Sequence, residues 1–382
     1  MKLTLVISSL ERGGAERIIS VLAGAWAQRG DEVTLITFDD REPPAYPVHP
    51  RIELKSLRVP NELAGNPVRA LFRNVRRIRL LRKMIRESAP DIVLSFLDFP
   101  NIITLLATRG WHVPVIVSER ANPAYDDLKG VWRVLRRRTY PRAAALVCQT
   151  RAMVDQLQKE IRMRGYAIPN PVEPPPAGHA VPSESGVNAQ TIIAMGRLVP
   201  QKGFDLLLDA FARIAGRHPE WSIKVLGKGP LKARLEAQAD LLGLKNRVRF
   251  VGSVADPFPM LRAAGMFVFS SRFEGFGNAL VEAMACGLPV ISFDCPAGPS
   301  DIVRHGFDGL LVPPEDVSAL ANAMDHLMTD GAERERLARR APEVLERFSG
   351  ERVLSMWEKL FDDVLPARKR SSERANQVTS RS

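Results

Sequence analysis

Short runs rich in valine, isoleucine and leucine alternate with helical patterns along most of the chain, and the whole series runs through twice. Continuous apolar runs of this kind suit parallel strands covered on both faces by helices. In the first half they fall at 2–8, 32–38, 91–95, 114–118 and 145–149, with helical periodicity at 15–29, 68–87, 131–140 and from Ala152. In the second half strands are predicted at 191–195, 222–226, 247–251, 266–270, 289–293 and 309–312. Helices are predicted there at 205–217, 231–242, 278–286, 317–328, 333–347 and 351–365. After Tyr166 come Pro169, Pro171, Pro174, Pro175, Pro176 and Pro182, a stretch that cannot join a sheet ladder and reads as a linker. The 382 residues also exceed what one core of about 250–300 residues accommodates.

The expectation is therefore an α/β protein of two tandem Rossmann-like, doubly wound domains facing a central cleft. The first spans 1–168, a proline-rich linker 169–189, and the second 190–350. A helix at 351–366 is expected to pack back towards the first domain, and the basic tail 367–382 to be disordered. Ligands of such sheets bind outside the carboxyl ends of the strands.

No apolar run approaches the roughly 18–20 residues of a membrane span. The opening MKLTLVISSL reads as a buried strand rather than a signal peptide. Cys148, Cys286 and Cys295 lack zinc-type spacing and fit a reducing compartment. The net charge of +11 is local: residues 1–165 hold 28 basic and 17 acidic side chains, and the rest hold 26 of each. Such a one-sided excess points to an anionic partner: a phosphate-bearing substrate, an acidic membrane surface or a nucleic acid.

Three segments can carry chemistry. Gly13 and Gly14 follow the first strand and open the first helix, where backbone N–H groups can approach an anion; alone the pair is a weak signal, since a plain glycine turn gives the same pattern. Arg197 and Lys202 lie in GRLVPQKG, after the first strand of the second half, and can neutralise a departing diphosphate. In EGFGNALVE, Glu274 lies on a loop over a strand end and Glu282 about one turn into the next helix. Asn278 is the predicted N-cap, and the N–H groups of 277–280 are predicted free to meet a phosphate.

With these blocks in this order, nearly the whole chain resembles the retaining GT-B glycosyltransferases of family 4. The ISSLERGGAER opening, the SER-x-N-P segment and FDCPAGPSDIV resemble the bacterial branch that extends lipid-linked oligosaccharides or exopolysaccharide repeats, GalNAc-transferases among them. The resemblance implies that Arg197 and Lys202 bind the donor diphosphate, Glu274 the transferred sugar and Glu282 the ribose. It implies further that Gly277, Asn278 and Ala279 meet the diphosphate or sugar. Gly13 and Gly14 would line the cleft, and Gly252 and Ser253 would lie near the base. Many members carry a histidine after the strand that corresponds to 114–118; here Glu119 or Arg120 stands in its place. The chemistry implied is transfer with retention, by front-face attack, from a UDP-linked N-acetylhexosamine or hexose or from GDP-mannose. Glu274 as a covalent nucleophile stays open. No D-x-D occurs, so neither a metal nor any other cofactor is expected.

The predicted helix over 68–86 holds eight basic residues and no acid, beside an apolar stripe of Val68, Leu71, Phe72, Val75, Ile78, Leu81 and Ile85. Arg69, Arg73, Arg76, Arg77, Arg79 and Lys83, with Arg120, are candidates to hold the lipid-linked acceptor and an anionic membrane, which would make the protein peripheral on the cytoplasmic face. Arg133, Arg136, Arg137 and Arg138 form a second basic cluster. The alternative is a core helix whose arginines are merely solvated. Rival functions are a nucleic-acid-binding protein, disfavoured by 7% aromatic content and no recognisable motif, or a GT-B epimerase or phosphorylase.

Overall fold

The computed structural model describes residues 1–11, 13–59, 67–120, 130–176 and 188–365. The chain divides into two compact units, one formed by Met1–Pro169 together with the chain from Val353 on, the other by Asn170–Arg352.

Unit 1 runs β1 (Lys2–Ile7), α1 (Gly14–Gln28), β2 (Glu32–Thr37), β3 (Glu53–Ser56), α2 (Pro67–Ser88), β4 (Ile92–Phe96), α3 (Asp98–Ala107), β5 (Val115–Ser118), α4 (Val131–Thr139), β6 (Ala145–Cys148), α5 (Arg151–Glu160) and β7 (Gly165–Ala167). Its sheet is ordered β3-β2-β1-β4-β5-β6-β7 with parallel pairings, Leu5 lying level with Leu35 and Leu94. Strand order reverses between β1 and β4, so the turn at Gly13–Gly14 leaves the sheet at its switch point, where doubly wound sheets take their ligands.

Unit 2 repeats the plan with β8 (Thr191–Met195), α6 (Phe204–Ile214), β9 (Ser222–Leu226), α7 (Lys232–Leu241), β10 (Val248–Gly252), α8 (Phe258–Ala263), β11 (Met266–Phe269), α9 (Asn278–Ala285), β12 (Val290–Phe293), α10 (Pro299–Ile302) and β13 (Leu310–Val312). Then follow α11 (Val317–Thr329), α12 (Gly331–Arg340) and α13 (Val344–Arg347), and α14 (Gly350–Val364) returns the chain to unit 1 from Val353 on. The order β10-β9-β8-β11-β12-β13 reverses between β8 and β11. Both chemistry-bearing loops, the one with Arg197 and Lys202 after β8 and the one with Glu274 after β11, therefore spring from the switch point.

The α/β class and the doubly wound sheets agree with the sequence expectation. Five elements were not expected. β3 and β7 are short edge strands, and Glu-Leu-Lys-Ser and Gly-Tyr-Ala offer no buried apolar run to recognise. α3 starts directly after β4; its β-branched residues and Pro100 disguise it, and proline is tolerated because it stands in the first turn. α8 and α10 are too short for periodicity to show. The single helix predicted at 333–347 is broken by a 3₁₀ turn at Ala341–Glu343 that contains Pro342.

The described part of the predicted linker is not free chain: Val172 is buried and its N–H bonds to Phe348 O at 2.8 Å. The stretch 177–187 and the predicted tail lie outside the described residues. α14 brings Trp357 and Phe361 into the core of unit 1. There Trp26 meets Trp357 edge-on at 6.1 Å and Phe361 at 5.3 Å. Geometry of this kind adds to the large apolar area each ring buries. Trp357→Ala should therefore lower the unfolding free energy by about 3–5 kcal/mol, measured by urea denaturation; a change within error would mean α14 contributes little to the core.

Candidate active site

The loop after β8 closes in one 3₁₀ turn, Pro200–Lys202, and enters α6 through Gly203. Gly203 has φ +60°, and a Cβ there would stand 2.0 Å from the carbonyl oxygen of Ser270. Only glycine fits both demands, so this loop lies directly against the one that leaves β11. Side chains then stitch the two together. Ser270 Oγ donates to Lys202 O at 2.9 Å, and Gln201 Nε2 to Phe273 O at 3.0 Å. The Arg272 guanidinium donates to Pro200 O at 2.7 Å, to both Asp205 oxygens at 2.9 and 2.6 Å, and to Glu315 at 3.0 Å.

This clamp polarises its members. The Arg272 pKa is raised, first by the hydrogen bond to Asp205. Burial works to raise that of Asp205, but the hydrogen bonds and charge of Arg272 outweigh it and leave the carboxyl below its ordinary 3.8.

Held in this frame, Lys202 Nζ meets Glu274 Oε1 at 2.5 Å, and Glu274 is buried. The lysine stem crosses the backbone of Gly196, with Cε 3.1 Å from where a Cβ would stand, and its ammonium lies 5.4 Å from the centroid of the Phe269 ring. The same ring lies 3.5 Å from a Cβ placed on Gly277, the residue that caps α9. Lys202, Glu274 and the start of α9 thus converge around Phe269. Arg197 is exposed and has no ion-pair partner among the described residues. Glu282 is half-buried one turn into α9.

The helix start differs from expectation in two ways. Gly277, at φ 112°, is the N-cap, and Asn278 is the first helical residue. The Asn278 side chain is engaged elsewhere, since its Oδ1 accepts from Asn170 Nδ2 at 2.7 Å. The N–H of Leu280 is also not free, because it bonds to Gly277 O at 3.0 Å. The donors of the first turn are therefore those of Asn278 and Ala279, which precede the first intrahelical bond. Gly252, at φ +87°, ends β10, and its carbonyl accepts from Gly227 N at 2.8 Å, which sets Gly252 and Ser253 beside the turn that carries Lys228.

In unit 1, Gly13 is the extended N-cap of α1 and Gly14 its first residue. The Glu16 carboxylate folds back over Gly13, within 2.1 Å of where a Cβ would stand. Glu119 and Arg120, at the carboxyl end of β5, are both buried. Tyr140 donates to Glu119 Oε1, and Asn101 Nδ2 donates to the Tyr140 oxygen at 3.1 Å. Burial, reinforced by the Glu119 charge, pushes the Tyr140 pKa well up.

Two residues expected on an acceptor or membrane surface are not there. Arg120 stacks 4.2 Å over Phe96 and 5.9 Å from Trp357, and burial lowers its pKa to about 9. Arg77 is buried beside Phe99 and donates to Asn74 and to Val59 O; burial, then the charge of Arg73, lowers it to about 10. Helical spacing placed both arginines without saying which way the sheet lies. Arg69, Arg76, Arg79 and Lys83 are exposed, and Arg73 is half-buried. Arg136 of the second cluster is buried near Glu160, at 3.6 Å.

Sequence reasoning missed the Arg272–Asp205 clamp, Asn170 and Lys228. For Lys228 a signal existed: Gly-Lys-Gly-Pro follows a predicted strand directly. Among the described residues no group of three or more His, Cys, Asp or Glu side chains is placed to hold a metal ion.

Two family models match the chain: "Glycosyl transferase 4-like domain" over residues 13–170 and "Glycosyl transferases group 1" over 181–344. An exopolysaccharide phosphotransferase of Streptomyces coelicolor is 28% identical over 100% of this chain, which spans only 43% of that protein. A Campylobacter jejuni protein is 28% identical over 95% of this chain and 99% of its own length. Its name is "GalNAc-alpha-(1->4)-GalNAc-alpha-(1->3)-diNAcBac-PP-undecaprenol alpha-1,4-N-acetyl-D-galactosaminyltransferase". Among solved structures, sucrose-phosphate synthase from Thermosynechococcus elongatus superposes with a TM-score of 0.81 at 19% identity, covering 95% of this chain and 98% of that one.

The clamp makes a prediction of its own. The Asp205 carboxyl titrates lower folded than unfolded, so its pairing stabilises fully above pH 3.8 and the benefit is lost as pH falls through the folded value. Asp205→Asn should melt below the wild type at neutral pH, and the gap should close as pH drops past 3.8. A gap that is constant with pH would mean that the carboxylate charge is not what matters.

Proposed function

The chain belongs to the GT-B glycosyltransferases of family 4, and from that premise we propose that it moves a sugar, with retention, from a nucleotide sugar to a lipid-pyrophosphate-linked oligosaccharide in bacterial surface-polysaccharide assembly. The observation that carries this reading is the Lys202–Glu274 pair beside the start of α9, fixed by hydrogen bonds before any substrate arrives. Preorganised charge of this kind stabilises a developing anion without the cost of reorganising at the moment of reaction.

In the transfer, the bond from the anomeric carbon to the diphosphate oxygen breaks and the acceptor hydroxyl oxygen takes its place. Arg197, Lys202 and the N–H groups of Asn278 and Ala279 receive the charge that builds on the diphosphate. The departing phosphate takes the acceptor's proton, which lets attack occur on the face it leaves. Glu274 accepts hydrogen bonds from the sugar's hydroxyls. Its Oε1 is already engaged by Lys202, and this supports a binding role over that of a covalent nucleophile. Glu282 holds the ribose, and the turn at Gly252 and Ser253 lies near the base. In unit 1, Gly13 and Gly14 open α1 and offer backbone N–H groups to a phosphate or the acceptor, the role the resemblance assigns them.

The donor in this proposal is a UDP-linked N-acetylhexosamine or hexose, which the resemblance to the oligosaccharide-extending branch supports. The acceptor follows the name of the Campylobacter relative. The phosphotransfer in the name of the Streptomyces protein is not carried over, because this chain spans under half of it. Two cations and a helix start would replace a divalent metal at the diphosphate. A lipid-linked acceptor would hold the enzyme peripherally at an anionic membrane; no helix among the described residues is long and apolar enough to cross one.

The test is a panel of nucleotide sugars offered with a lipid-pyrophosphate sugar, followed by NMR of the product's anomeric centre. Retained configuration is expected, and inversion contradicts the mechanism. Lys202→Ala and Glu274→Ala should each reduce turnover by at least about 10²-fold, the effect of losing one preorganised group. Near-normal rates in both would remove the site assignment. Activity should persist in EDTA; loss that a divalent ion restores would show that a metal takes part.

A further inference from the structure

Asn170 lies outside the motifs that carry the proposed chemistry, yet it touches the start of α9. Its place is fixed twice over. Pro169 and Pro171 flank it; each ring locks its own φ, and the proline that follows confines Asn170 to the extended region. Two residues on, the Val172 N–H donates to Phe348 O at 2.8 Å, and the Val172 side chain is buried in the core of unit 2. Phe348 in turn meets Phe276, two residues before Asn278, edge-on with ring centroids 5.5 Å apart. The segment 170–172 and the loop that leads into α9 are thus held to one another through Phe348.

In that frame Asn170, only 1% exposed, donates from Nδ2 to Asn278 Oδ1 at 2.7 Å. A side-chain amide has one accepting end and one donating end, so fixing the first fixes the second. With Oδ1 turned to Asn170, the Nδ2 end of Asn278 faces away from it and has no partner among the described residues. Asn278 is half-buried, which leaves that end within reach of a ligand. Because the cap of α9 is Gly277, no side chain covers the N–H groups of Asn278 and Ala279 beside it.

We propose that Asn170 is a positioning residue for the donor: it sets the polarity of the Asn278 amide, so that Nδ2 becomes a further donor to the diphosphate beside the N–H groups of Asn278 and Ala279. The inference rests on the nucleotide-sugar reading above and deepens it. Only one orientation of the amide is useful. The reverse would turn Oδ1 on the phosphate oxygens, and two acceptors repel. Asn170 touches no substrate and acts through Asn278.

The test measures UDP and GDP affinity of the full chain by calorimetry, with melting temperature and the KM for acceptor alongside. Asn170→Ala and Asn278→Ala should each weaken the preferred diphosphate at least about tenfold, the effect of losing a hydrogen bond to a charged group. Combined, the two should cost no more than the larger single loss, because one acts only through the other. The KM for acceptor should not move. Asn170→Asp gives the sign. A carboxylate only accepts, so it would draw Nδ2 of Asn278 towards itself, and binding should fall at least as far as in Asn170→Ala. Should the Asn170 variants melt early, Asn278→Asp supplies the reading. It keeps the acceptor for Asn170 and exchanges only the Nδ2 donor for an oxygen, so diphosphate affinity should fall at least about tenfold with melting temperature unchanged. Wild-type affinity in Asn170→Asp, additive losses in the double variant, or tight binding by Asn278→Asp each overturns the assignment, and each leaves the transferase reading standing. A wild type that binds neither diphosphate and transfers no sugar removes that reading, and the positioning role with it.

Discussion

An ammonium and a carboxylate, Lys202 and Glu274, are held in contact at the carboxyl edge of the second sheet, and the proposed chemistry depends on their being held there. Neither residue could maintain that position alone, since each projects from a loop. The two loops become one rigid piece because Gly203 lets their backbones touch, Ser270 and Gln201 bridge them, and Arg272 ties Pro200, Asp205 and Glu315 to a single guanidinium. In the proposed chemistry this rigidity has a purpose. A cation that must first be gathered from solvent loses part of its benefit to reorganisation, whereas one already fixed by its partner does not.

The fold accounts for the location. Parallel strands with crossover helices leave a crevice where strand order reverses, and in each unit the glycine-bearing turn of interest springs from that reversal. Charge is divided unevenly along the chain: residues 166–382 hold 26 basic and 26 acidic side chains and are balanced. The excess of positive charge lies in residues 1–165, where Arg69, Arg76, Arg79 and Lys83 of α2 and Arg133, Arg137 and Arg138 of α4 are exposed.

Much of this was legible in the residues. Buried strands announce themselves because every position in them is apolar, and β8 and β9 fall where their runs predict. What escaped notice depends on tertiary context. β3 and β7 lie at sheet edges and need no apolar run, and α3 carries branched residues that read as strand. Among the site residues, the motif singles out Lys202 and Glu274 but says nothing of their contact, which arises from residues 72 apart in sequence. Asn278 looks like a cap by type, yet glycine at φ 112° takes that place and frees the amide to meet Asn170. Arg77 and Arg120 mislead for the opposite reason. A guanidinium can lie flat on an aromatic ring and be buried, and no periodicity distinguishes that arrangement from a solvated arginine.

The central claim, that donor phosphates are received where these groups converge, is tested most directly by a crystal structure with UDP bound. The account predicts paired phosphates against the N–H groups of Asn278 and Ala279, within reach of the Lys202 ammonium and the Arg197 guanidinium. A nucleotide seated away from the start of α9, with Lys202 and Glu274 untouched, would contradict it.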